Sequence, residues 1–273
     1  MTKRGLAVND PQRALGWLKR VSYYRFSAYF IPFKDITTNR FKSGSEFSQI
    51  AELYKFDSRL RLLILQAIER VEIALRTALT YRIAHTYGPF GHVLSTNFSP
   101  SFDHAKFMQE LSVEETRSRE TFVQHYRSKY TSEPHLPIWM ATELISFGAL
   151  SLMYSAVRPD IQRTVATEYG IPGDILKNWL HTLSYVRNNC AHHKRLWNRE
   201  LAIRPKIPRN WQYPVVNNER IYCVLIILQH FTSVICPSCK WRDRVVTLMD
   251  SLPLVDVKAM GFPNHWRTQR PWA

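Results

Sequence analysis

The strongest constraint on the fold lies between Ser45 and His85. Leu60, Ile64, Ile68, Val71 and Leu75 recur there at steps of three and four, the spacing that gathers apolar side chains on one face of an α-helix. Gly88-Pro89 ends the pattern. The rest of the chain repeats the theme. Asp10-Pro11 reads as an N-cap followed by proline in the first turn, opening a helix to about Arg20. A second short aromatic stretch, Tyr23 to Phe30, ends at Pro32, and Thr37 to Ser45 is polar and loop-like. Further helices are expected over His104 to Tyr130, Ile138 to Val157, Gly173 to His193, Asn217 to Ile235 and Trp241 to Met249. Arg158-Pro159 starts a new segment between two of these, and Tyr169-Gly170-Ile171-Pro172 punctuates the chain before Gly173. Arg204 to Pro214 contains three prolines and reads as a loop, and Pro253 to Ala273 as an irregular tail. No convincing period-two alternation occurs, and 9 Gly in 273 residues argue against a strand-and-turn protein. The expected fold is an all-α helical bundle with short connections, forming one domain over residues 1–273.

Charge bears on the partner. Lys and Arg number 37 against 22 Asp and Glu, a net charge of +15. A surface this basic attracts polyanions, nucleic acid first and an anionic membrane next. A basic surface that merely aids solubility is the plain alternative. No apolar segment follows Met1-Thr2-Lys3-Arg4, and Gln229 and His230 interrupt the most apolar run, Cys223 to Ile235. A soluble, cytoplasmic protein with no membrane partner is expected. Cys236-Pro-Ser-Cys239 is a lone CxxC without the second pair that structural zinc needs, so neither a metal nor a cofactor is expected.

The densest polar cluster is Arg187-Asn188-Asn189-Cys190-Ala191-His192-His193-Lys194-Arg195-Leu196-Trp197-Asn198. Trp179, Leu183, Val186 and Cys190 form the apolar stripe of the helix that leads into it. Asn188 and His192 fall about opposite that stripe, one turn apart, with Arg187 roughly 140° from His192. His192 therefore points away from its own helix's core. Imidazole moves protons near neutral pH, and guanidinium holds phosphate with a planar fork of donors. Together they supply what cleavage of an RNA phosphodiester requires. The competing reading is that these groups merely cap the helix C-terminus.

Arg187-Asn188-x-x-Ala191-His192, followed by His193-x-Arg195-Leu196-Trp197-Asn198, resembles the Abi family of bacterial abortive-infection (phage resistance) proteins. That family resembles the HEPN ribonucleases, whose signature is an Arg and a His four to six residues apart with a polar residue after the Arg. Asn188 fills that polar slot. Tyr23-Tyr24-Arg25-Phe26-Ser27-Ala28-Tyr29-Phe30-Ile31-Pro32-Phe33 is similar to a second stretch of the family, and Ile68 to Arg76 and Met260-Gly261-Phe262-Pro263 match its pattern too. The resemblance implies a HEPN-like helical core with additional N-terminal helices. It also implies a metal-independent endoribonuclease yielding a 2′,3′-cyclic phosphate and a 5′-hydroxyl. Relatives pair two such motifs, so one copy per chain implies a homodimer with a composite site. Type VI CRISPR effectors carry the motif twice, and by that likeness an associated RNA is a further partner.

Catalysis is thus expected from Arg187, His192 and Asn188. His193, Lys194, Arg195, Arg199 and Arg25 are expected on RNA, with helix-end capping as the other role for the basic residues. Tyr23, Tyr24 and Tyr29 either stack on bases or, as is commoner for such runs, pack a core. Glu69, Glu72 and Arg76 form either a polar network behind the site or a solvated ion-pair face. His85, His104, His125 and His135 show no ligand spacing. Two other functions fit the same residues: a non-catalytic RNA-binding protein in a ribonucleoprotein, and a partner of a small acidic protein such as an antitoxin.

Overall fold

The computed structural model describes residues 1–35, 37–215, 217–252 and 256–273. Eleven α-helices account for the architecture among these residues, with no β-ladder beyond isolated bridges. Two short N-terminal helices, α1 (Pro11–Val21) and α2 (Tyr23–Ser27), precede the spine of the fold, α3 (Phe47–Tyr87). At 41 residues α3 spans about 60 Å. A capping box of Glu46 and Gln49 opens it, and Gly88 at φ 81° closes it.

The remaining helices lie along that spine. They are α4 (His104–Arg117), α5 (Thr121–Lys129), α6 (Ile138–Leu144), α7 (Phe147–Ala156), α8 (Pro159–Thr167), α9 (Gly173–Ala191), α10 (Ile221–Ile235) and α11 (Trp241–Asp250). Helices α6 to α11 all touch α3. Every residue of α10 from Ile221 to Leu228 is buried, which makes it the central rod that an all-round apolar helix must be. No described helix is long and apolar enough to cross a membrane.

Several boundaries differ from the sequence reading for local reasons. The helix expected over His104 to Tyr130 breaks at Ser118–Glu120, where Ser118 and Glu120 turn extended. The helix expected over Ile138 to Val157 breaks at Ile145, because Ser146 caps a new helix by accepting from the Ala149 N–H. Helix α10 starts at Ile221 rather than Asn217. Among its described residues the tail holds no α-helix, but it is packed: Met260, Phe262, Trp266 and Trp272 are buried, and Phe262 lies 4.5 Å from the Tyr222 ring. Residues 253–255, where the expected tail begins, lie outside the described residues.

His104 and His135, distant in sequence, converge on a third histidine, His92. His104 Nε2 lies 2.8 Å from the His92 carbonyl oxygen. His92 is 1% exposed, and neither ring nitrogen has a partner among the described residues. Burial first, then the neighbouring His135 and His104, push its pKa down to about 4. Above pH 6.5 the ring is neutral folded or unfolded and adds no pH dependence to stability. Below that the unfolded chain takes a proton that the folded chain refuses, so stability falls with pH until about pH 4. The loss is about 3 kcal/mol. Urea unfolding between pH 7 and pH 4 should show it, and His92→Leu should flatten the slope. An unchanged slope in that variant would remove His92 as its source.

Candidate functional site

The site is built at the C-terminal end of α9. The carbonyls of Asn188, Asn189 and Cys190 near the end of that helix are met by backbone N–H groups. His192 N–H donates to the Asn188 carbonyl at 3.0 Å, His193 N–H to Cys190 at 3.0 Å and Lys194 N–H to Asn189 at 2.9 Å. The last two bonds form the usual paired cap, which needs a left-handed residue. His193 takes that place with φ 55°. The helix end is therefore closed without any imidazole or amide side chain. Asn188 and His192 are both exposed. The contact that links the motif's side chains is Arg187 Nη1 to Asn188 Oδ1, at 3.4 Å.

The chain after His193 is clamped from below by residues that the sequence reading did not single out together. Asp57, on α3, is fully buried. Its carboxylate accepts the N–H groups of Leu196 at 3.1 Å and Trp197 at 2.7 Å. It also accepts the Tyr29 hydroxyl at 2.6 Å and Arg61 Nη1 at 2.5 Å. Burial pushes the Asp57 carboxyl up, and Arg61, Tyr29 and the two N–H groups pull against it. Four converging donors suit the carboxylate, which only accepts. Burial, then Asp57 itself, pushes the Tyr29 hydroxyl up, keeping it a donor. The signal was present: Asp57 and Arg61 sit four apart among Leu53, Phe56, Leu60 and Ile64, all buried on α3. A carboxylate on an apolar stripe needs buried partners.

The N-terminal aromatic stretch completes the clamp. Arg25 Nη1 donates to the His193 carbonyl at 2.7 Å, and Arg195 Nη1 to the Ala28 carbonyl at 2.5 Å. Arg199 Nη1 reaches the Arg195 carbonyl at 3.5 Å. Arg25, Arg195 and Arg199 thus spend donors on holding the turn, while Lys194 is exposed. Phe26, Tyr29 and Phe30 belong to the core, and Tyr23 and Tyr24 face outward.

Besides Asn188, Arg187 borders a second feature. It lines a groove of about 560 Å³ beside α3, together with Glu69, Glu72, Arg76 and Glu143. Arg76 is tied to Glu72 at 2.7 Å and to the Ile145 carbonyl at 3.3 Å. The Glu72–Arg76 pair is therefore structural and lies next to Arg187. The three glutamates repel a phosphate from the depth of this groove.

The two stretches most evident in the sequence, Tyr23 to Phe33 and Arg187 to Asn198, are thus one physical unit joined by Arg25, Arg195 and Asp57. A model of the Abi-like protein family matches residues 16–198, about two thirds of the chain, and encloses that unit. The chain belongs to the Abi-like protein family. Membership places it among proteins of abortive infection, the bacterial response to phage. The match ends at Asn198, directly after the clamped turn, so α10, α11 and the tail of this Abi-like chain lie beyond it. Neither the curated proteins nor the solved structures gave a significant match.

Proposed function

We propose that this Abi-like protein is a metal-independent endoribonuclease that cleaves RNA through Arg187 and His192. The observation that carries the reading is the state of the α9 terminus. Backbone N–H groups already satisfy the carbonyls of Asn188, Asn189 and Cys190, and among the described residues neither the Asn188 nor the His192 side chain bonds to a helix carbonyl, so helix capping does not account for these two side chains. Both remain exposed at the end of a rigidly held turn. His192 makes one of the two proton transfers, taking the 2′-hydroxyl proton or giving one to the leaving 5′-oxygen, as one partner of an acid–base pair. Arg187 offsets charge developing on the phosphorus oxygens. Asn188, bonded to Arg187, orients that guanidinium or holds a phosphate oxygen.

One imidazole cannot serve both proton transfers at once. A second copy of the chain supplies the other, and this is the basis for a homodimer with a composite site. Lys194 and the net charge of +15 draw RNA to the surface. The test is to incubate the purified protein with RNA in excess chelator and analyse the ends. The expected products carry a 2′,3′-cyclic phosphate and a 5′-hydroxyl, from a particle of twice the chain mass. RNA that is bound, with salt-sensitive affinity, but never cut would replace this reading with that of a non-catalytic RNA-binding protein.

A further inference from the structure

A second site lies on the same helix, away from the motif. Helices α7 and α9 pack against each other but leave a cleft of about 660 Å³ between them. Its α7 wall is Gly148, Ser151, Leu152 and Ser155, a single helix face of mostly small residues. Its α9 wall carries Asp174, Lys177, Asn178 and His181 at the matching spacing. Lys206 closes one side, its backbone N–H pinned to Asn178 Oδ1 at 2.6 Å.

Two observations say that the cleft is made for a ligand rather than left over. Ser151 and Ser184 line it and are 6% and 8% exposed, and neither hydroxyl forms a hydrogen bond with another described residue. The two residues are buried but their hydroxyls open onto the cleft instead of bonding back to a carbonyl one turn earlier, as Ser commonly does in a helix and as Thr182 does beside them. Lys177, Lys206 and Asp174 form no ion pair among the described residues, although Asp174 and Lys177 are three apart on α9.

The lining defines the chemistry of the occupant. Two unpaired ammonium groups call for a multiply charged anion. The carboxylate of Asp174 repels phosphate and suits a hydroxyl donor, so the occupant carries hydroxyls as well. The volume exceeds what inorganic phosphate fills and falls in the range of small organic ligands. Leu152 and the lysine stems offer apolar faces to a flat ring. We propose that the cleft between α7 and α9 binds a nucleoside phosphate, with Lys177 and Lys206 on the phosphate, Asp174 on the ribose hydroxyls and Ser151 and Ser184 on polar ring atoms. The site shares α9 with Arg187 and His192, so its occupant reports to the helix that carries the motif.

Calorimetric titration of the full chain with adenosine, guanosine, cytidine and uridine 5′-phosphates tests the site without any need for RNA cleavage. At least one is expected to bind with a dissociation constant of about 1 mM or tighter. The double variant K177E/K206E, whose exposed substitutions leave the core untouched, should weaken it at least tenfold with an unchanged melting temperature. S151A/S184A should weaken it less and keep the preference for the phosphate over the free nucleoside. Absence of binding by all four, undiminished binding in K177E/K206E, or equal affinity for inorganic phosphate would each overturn the assignment. So would a K177E/K206E variant that loses affinity for RNA alone, which would make the cleft part of an RNA path.

Discussion

Replacing His192 with alanine is expected to reduce RNA cleavage by about a thousandfold, the scale of losing one general acid–base group. The variant should melt where the parent does, because the ring is exposed and the helix end is closed by backbone bonds alone. RNA affinity should change little, since His192 is one group beside the many Lys and Arg side chains that set counterion release. His192→Ala therefore separates chemistry from binding, and Arg187→Ala should not, because the guanidinium meets phosphate in both. If both motifs of a dimer form one site, mixing His192→Ala with the parent should lower activity by more than the fraction of variant added. Cleavage at the parental rate by pure His192→Ala would dismiss the catalytic assignment, whatever the fold does.

The largest effect on stability is expected at Asp57. Asp57→Ala should cost about 3–5 kcal/mol, the scale for removing one partner of a buried ion pair. Arg61 would be left buried beside no carboxylate, and the N–H groups of Leu196 and Trp197 would lose their acceptor. The Tyr29 hydroxyl would be orphaned with them. Asp57→Asn keeps one acceptor oxygen and should cost less, but it brings an N–H₂ group toward donors. Urea unfolding followed by far-ultraviolet circular dichroism measures both. Cleavage should fall in Asp57→Ala even at temperatures where α9 remains folded, because the turn after His193 loses its anchor. A loss under about 1 kcal/mol would show that Arg25 and Arg195 hold the turn unaided.

What was legible in the sequence was what periodicity and punctuation write down. The long α3, the α9 stripe and the break at Gly88 follow from apolar spacing and from glycine, and the all-α class follows from the absence of alternation. Breaks inside helical patterns were missed where a single polar residue decides them, as Ser146 does by capping α7. At the site, the sequence exposed Arg187, Asn188 and His192 because they cluster. It could not show that Arg25 and Arg195 spend their guanidinium groups on carbonyls more than 160 residues away, because a charge pattern does not say which donors are already engaged. For Asp57 the local partner Arg61 was legible four residues on, but the others, Tyr29, Leu196 and Trp197, lie outside any local window, so its full role was not. His92 gains its character only from the fold, which buries it and brings His104 and His135 beside it.

The anchoring of the turn by Asp57 joins residues 139 and 140 positions apart. On a ribosome adding roughly 5–20 residues per second, Tyr29 and Asp57 leave the exit tunnel many seconds before Leu196 and Trp197 exist to meet them. Throughout that interval the growing polypeptide carries no fixed arrangement of Arg187 and His192. Any activity that needs this arrangement is therefore held back until the ribosome has passed Trp197 and Asp57 can be met.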